Sequence, residues 1–129
     1  MLKISIPLQS IQLEFKSKSD YLYLTINGEY NKEDFILLPA IVAEESKKEN
    51  IRKVLINALE LNGTDVPIMD RFFIGEETAK VIGNRIKVAV IWPEKDITKF
   101  AETVAINRGG FLYVFGNISE GEEWLLADQ

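Results

Sequence analysis

Ile86-Lys-Val-Ala-Val-Ile-Trp92 is the stretch that decides the fold of this chain. It is almost continuously apolar, so it reads as a central strand covered on both faces of a sheet. Pro93 ends it. Ile97, Phe100, Ala101, Val104 and Ala105 then fall at i, i+3, i+4, i+7 and i+8, the spacing of an amphipathic helix. Gly109 suits the left-handed cap at its end. Phe111 to Phe115 is the last strand. Ser119-x-x-Glu122 forms a capping box that opens a short helix carrying Trp124, Leu125 and Leu126.

The same alternation extends upstream. Val54-Leu55-Ile56 reads as a buried strand, and Leu61 to Asp65 as a loop. Thr64 or Asp65 caps the next helix, with Pro67 in its first turn. That helix carries Met69, Phe72, Phe73 and Ala79 and tolerates Gly75. Before it, Asn31 and Asp34 resemble a helix start, but Pro39 would cost about 3 kcal/mol inside a helix. The sequence therefore predicts a turn near 31–35 and a helix from near Pro39 to about Lys48, burying Leu38, Ile41 and Val42. Ile11, Leu13 and Phe15 alternate with polar residues, Ser17 to Asp20 turn, and Tyr21 to Ile26 return, which reads as an antiparallel hairpin broken at Asn27-Gly28. Leu2, Ile4 and Ile6 predict a short N-terminal strand or arm over residues 1–10. Strand–helix alternation implies parallel strands. The expected fold is α/β, one mixed sheet with an antiparallel N-terminal hairpin, its remaining strands parallel, in a single domain over residues 1–129.

Composition removes whole classes of chemistry. With neither cysteine nor histidine, the chain has no thiolate nucleophile, no disulfide and no imidazole base or ligand. Acidic residues outnumber basic ones 20 to 15, a formal charge of −5 without a basic block, which argues against nucleic acid as a partner. Glu120, Glu122 and Glu123 lie close together but lack the alternating pattern of a calcium loop, and read as a solvated helix start. Phosphate-binding glycine patterns are missing. No catalytic residue, metal or cofactor is expected. Met1 to Ser10 lacks the apolar stretch of a signal peptide. Phe35 to Ala43 is far shorter than the roughly 20 residues that cross a bilayer. A cytoplasmic protein without a transmembrane segment is expected.

Three groups of residues are candidates for function. The loop from Asn57 to Asp65 leaves the carboxyl end of a parallel strand and feeds a helix, the rim where ligands bind in such sheets. Asn57, Thr64 and Asp65 mark it as a phosphorylation or partner site, although Thr64 and Asp65 also suit simple caps. Arg71 and Arg108, on neighbouring helices, are candidate anion contacts, or else a solvated side chain and a helix C-terminal cation. Phe72-Phe73-Ile74 cannot all face one core, so with Ile68, Met69, Phe72 and Phe73 the helix has apolar side chains to line a groove. The groove and the N-terminal strand also suggest a homodimer.

Taken together, several stretches resemble the SpoIIAA-like bacterial proteins of the STAS superfamily, named for sulphate transporters and anti-sigma-factor antagonists. They are Asp20 to Gly28, Asp34 to Pro39, Lys53 to Ile56, Arg71-Phe72 with Gly75-Glu76, Lys87 to Val90, Phe100 to Ala105, Asn107 to Gly109, Val114-Phe115 and Trp124 to Leu126. The resemblance implies a non-enzymatic regulatory or protein-interaction module, switched in its relatives by phosphorylation of a serine or threonine in an Asp-Ser-x-Gly-type motif. That motif is absent here, and Thr64, in the loop 61–66, is the nearest match. The same fold neighbourhood includes lipid-binding Sec14-like domains. The second reading is accordingly a small-molecule or lipid binder holding a small apolar ligand, which would need a cavity of roughly 300 Å³ or more.

Overall fold

The computed structural model describes residues 8–127, apart from the Ala101 side chain. Most of the predicted N-terminal arm lies outside these residues. Leu8 to Ser10 are described, and they form a bend instead of a strand. Strands β1 (Ile11–Ser17) and β2 (Leu22–Glu29) make the antiparallel hairpin, from Ile11 opposite Gly28 to Ser17 opposite Leu22. Leu22, Leu24 and Ile26 share one fully buried face. β2 does not break at Asn27-Gly28. Gly28 adopts φ +104°, and the backbone of Ser10 and Ile11 packs where a side chain would stand.

Helix α1 spans Lys32–Glu49 with Pro39 inside it, which corrects the predicted start near Pro39. The local cost of the proline is offset by what the first turns gain. Asn31 Oδ1 accepts the Asp34 N–H at 3.0 Å, and Phe35, Leu38 and Val42 are buried. Asp34, 1% exposed, does not fold back on Asn31 as a capping box would. Its carboxylate accepts the N–H groups of Gln9 (2.8 Å), Ser10 (2.8 Å) and Ile11 (3.1 Å). The bend before β1 is thereby fastened to the start of α1.

Strand β3 (Lys53–Asn57) is buried as predicted. Leu61–Asn62, where the sequence predicts only loop, is a two-residue strand β4 pairing parallel to β2 at Gly28 and Glu29. Helix α2 (Ile68–Val81) begins after Pro67, which occupies the N-cap position, and no side chain caps it. Thr64 and Asp65 are therefore not helix caps. Strand β5 (Lys87–Ile91) leads through a 3-10 turn at Glu94–Asp96 into α3 (Phe100–Asn107). Helix α3 starts at Phe100 and not at Ile97, because Ile97 closes the 3-10 turn and Lys99 then takes a left-handed conformation, φ 65°. Gly109, φ +95°, ends the helix as predicted. Strand β6 (Leu112–Phe115) precedes α4 (Ile118–Leu126). Asn117, extended, caps α4 by accepting the Glu120 N–H at 2.9 Å, so the predicted box at Ser119 and Glu122 lies inside the helix.

The sheet order is β1-β2-β3-β5-β6, with β4 beside β2. Among the described residues, only the β1–β2 pair is antiparallel. This is the expected mixed α/β fold. On one face, Leu22, Leu24, Val54, Ile56, Val88 and Trp92 form the main core beneath α1 and α2. On the other, Tyr21, Leu55, Ala89 and Ile91 pack against Leu125 of α4. Buried Lys87 serves the end of α4: its Nζ donates to the carbonyls of Trp124 (2.7 Å) and Ala127 (3.3 Å) and lies 4.5 Å from the Trp124 ring. On β6, the Val114 N–H donates to Glu102 at 2.6 Å, and its carbonyl accepts Lys99 Nζ at 2.6 Å, while Lys99 and Glu102 pair at 3.3 Å. Among the described residues, no helix is long and apolar enough to cross a membrane.

Tyr21 joins the hairpin to α4, its hydroxyl donating to Glu122 at 2.7 Å. Burial first, then that hydrogen bond, pushes its pKa from 10.0 up to about 12. The folded state thus holds this proton more tightly than the unfolded chain. The stabilisation is complete below pH 10 and is lost as pH rises toward about 12. Tyr21 is expected to contribute a fall of at most about 3 kcal/mol to the urea unfolding free energy across that window. Tyr21→Phe is expected to make the fall shallower by that amount, and an unchanged slope in the variant would show that Tyr21 carries none of it.

Candidate functional site

The loops after β3 and β5 meet at the carboxyl rim of the sheet. Gly63, φ +78°, turns the chain out of β4, and Thr64 follows. Three groups fix the Thr64 segment. The Trp92 indole N–H and Arg71 both donate to the Thr64 carbonyl, at 3.1 Å and 3.4 Å, and Arg71 Nε donates to the Val66 carbonyl at 2.8 Å. The Thr64 hydroxyl, in a residue only 5% exposed, donates to Asp96 Oδ2 at 2.7 Å. That bond, then the one from Lys95, holds the Asp96 carboxyl below its ordinary range. Trp92 and Asp96 escape a sequence reading of the rim. The signal for Trp92 is that a buried indole needs an acceptor.

The other candidates disperse. Asp65 is exposed beside Thr64. Asn57 engages Tyr23 and Leu59 instead of Thr64: its Nδ2 donates to Tyr23 Oη at 3.0 Å, and its Oδ1 accepts the Leu59 N–H at 3.0 Å. Arg71 and Arg108 share no common anion site. Arg71 is spent on loop carbonyls, and Arg108 donates to Glu76 at 2.9 Å while lying 5.8 Å from the Phe72 ring. Among the described residues, no cluster of three or more acidic side chains gathers as metal ligands.

The apolar excess on α2 divides as its helical positions require. Ile74 turns inward to the main core. Phe72 is half-buried against Phe73, ring centroids 5.5 Å apart. Ile68, Met69 and Phe73 stay outside, 61%, 57% and 40% exposed. They do not line a closed groove. Phe73 borders an open depression with Lys32, Ile36 and Arg108, its ring under Lys32 Nζ at 5.1 Å. Residues 68, 69, 72 and 73 are i, i+3 and i+4 neighbours, so they make one continuous patch on the first turns of α2.

A separate cavity of about 110 Å³ lies between the sheet and α1, α2 and α3. Its wall is apolar, from Leu38, Val42, Ile74, Val90 and Val114 among others. Tyr30 stands at its border, donating to Asp70 at 2.9 Å. Burial, then that carboxylate, raises the Tyr30 pKa. The volume is well short of the 300 Å³ or so that a drug-sized or lipid ligand needs.

The chain matches no protein-family model and no curated protein. Solved structures do resemble it. An anti-sigma factor antagonist from Mycobacterium paratuberculosis superposes with a TM-score of 0.60 at 8% identity, covering 92% of this chain and 96% of its own. An uncharacterised protein with a SpoIIAA-like fold from Shewanella loihica gives 0.52 at 20% identity, covering 95% and 99%. At these identities the likeness is one of fold, and the fold of this chain is SpoIIAA-like.

Proposed function

We propose that this chain is a non-enzymatic protein-interaction module of regulatory type, and that its partner binds the first turns of α2 beside the Thr64–Asp65 loop. The observation that carries the reading is the exposure of Ile68, Met69 and Phe73 together on a helix whose inner face is already packed. Fully burying a side chain of this size is worth about 1.5–3 kcal/mol, and a partner recovers the share that the remaining exposure of Ile68, Met69 and Phe73 leaves in water. A fold shared with an anti-sigma factor antagonist supports a protein as that partner. A switch at Thr64 would act by release, since a phosphate there replaces the proton that Asp96 accepts and sets two anions together.

Capture from the source cells with the full chain, followed by reconstitution of the enriched protein with purified components, tests this. Ile68→Asp with Met69→Asp is expected to weaken the reconstituted pair about tenfold to a hundredfold. Acidic residues in a first helical turn are well tolerated, so the variant keeps its fold. Glu123→Gln, on the opposite helix layer, is expected to bind as the wild type does. Equal binding by all three chains would sink the proposal. Self-association abolished by the same double substitution would identify the partner as a second copy. Phosphate mass on Thr64 in protein from its own cells would establish the switch.

A further inference from the structure

We infer that the cavity between the sheet and α1–α3 is a binding site for a small, uncharged, apolar molecule no larger than a single six-membered ring. Its size sets the upper bound. At about 110 Å³ it approaches the 150 Å³ apolar cavity that takes up benzene, and it exceeds the space left in an ordinary close-packed core.

The chemistry of the wall sets the class. The polar side chains that reach the border are already engaged. Arg71 donates to the Thr64 and Val66 carbonyls, and Thr78 donates to the Ile74 carbonyl at 2.7 Å. Lys99 and Glu102 bind each other and the Val114 backbone. Among the described residues, no buried side-chain nitrogen or oxygen lacks a partner. A charged ligand would enter without a counter-group, and a water would find too few of the two to four polar contacts it needs. An apolar guest needs neither. Thr98 and Lys99 are the exposed members of the lining and mark the mouth. Lys99 is also the left-handed residue before α3, so the chain at the entrance is held in a sparsely populated conformation.

The site is independent of the α2 patch, because Ile68, Met69 and Phe73 are absent from its wall. Failure of either reading therefore leaves the other standing. The test titrates the full chain with benzene, with benzoate as the charged counterpart, and follows side-chain methyl resonances. Benzene is expected to shift Ile74, Val90 and Val114 saturably, with a dissociation constant of about a millimolar. Leu55 and Ile91, on the other sheet face, are expected to stay in place, and benzoate to do nothing. Val90→Ile with Val114→Ile narrows the cavity and is expected to weaken benzene at least tenfold. If that variant does not fold, the wild-type methyl map decides alone. Non-saturable shifts, shifts centred on Ile68 and Met69, or equal responses to benzoate would each overturn the inference.

Discussion

Asp34→Ala is expected to lower the unfolding free energy by about 3–5 kcal/mol, measured as the shift in urea midpoint at constant slope. A carboxylate 1% exposed accepts three backbone N–H groups, from Gln9, Ser10 and Ile11. Alanine removes the acceptor and leaves the buried Ile11 donor, and the part-buried Gln9 and Ser10 donors beside it, without their partner. Each unsatisfied donor costs about 1–3 kcal/mol. Asp34→Asn keeps one oxygen but turns an N–H₂ toward donors, so it is expected to recover less than half of the loss. A change below about 1 kcal/mol for Asp34→Ala would mean that water replaces the carboxylate freely.

Gly28→Ala strikes the same junction from the other side, with an expected loss of about 3–5 kcal/mol. Two penalties combine. The residue sits at φ +104°, which an L side chain rarely adopts, and a Cβ there would overlap the Ser10 carbonyl oxygen, a backbone atom that cannot swing away. Gly109→Ala separates the two. Gly109 has φ +95° but nothing within 4 Å of the added atom. It should show only the conformational part, about 1–2 kcal/mol. Equal losses in the two variants would show that the packing of Ser10 on Gly28 contributes nothing.

Elements whose cause is local were legible in the sequence. The period-2 hairpin, the apolar runs of β3 and β5, and the Gly109 stop all follow from neighbours a few residues apart. Misread elements have distant causes. Pro39 looks like a helix start until Asn31, Asp34 and the bend before β1 are seen to stabilise the turns ahead of it. Thr64 looks like a cap because its acceptor, Asp96, follows a different strand. Arg108 reads as a helix-end cation, and it is one, yet its partner Glu76 belongs to α2. The α2 patch was half legible. Three bulky residues in a row exclude a single buried face, but which one stays outside depends on where α2 lies against α1 and α3.

The Lys99–Glu102 ion pair that flanks β6 has a consequence for how this molecule can be joined to others. In a parallel strand the two polar groups of a residue point the same way, and those of Val114 point away from β5, toward Lys99 and Glu102. A visiting strand would have to evict both side chains before it could dock by main-chain pairing there. The terminal strand is thus closed to open-ended polymer growth at its midpoint, the hazard that bare sheet margins carry. At this point of the sheet margin a visitor meets the Lys99 and Glu102 side chains in place of bare backbone.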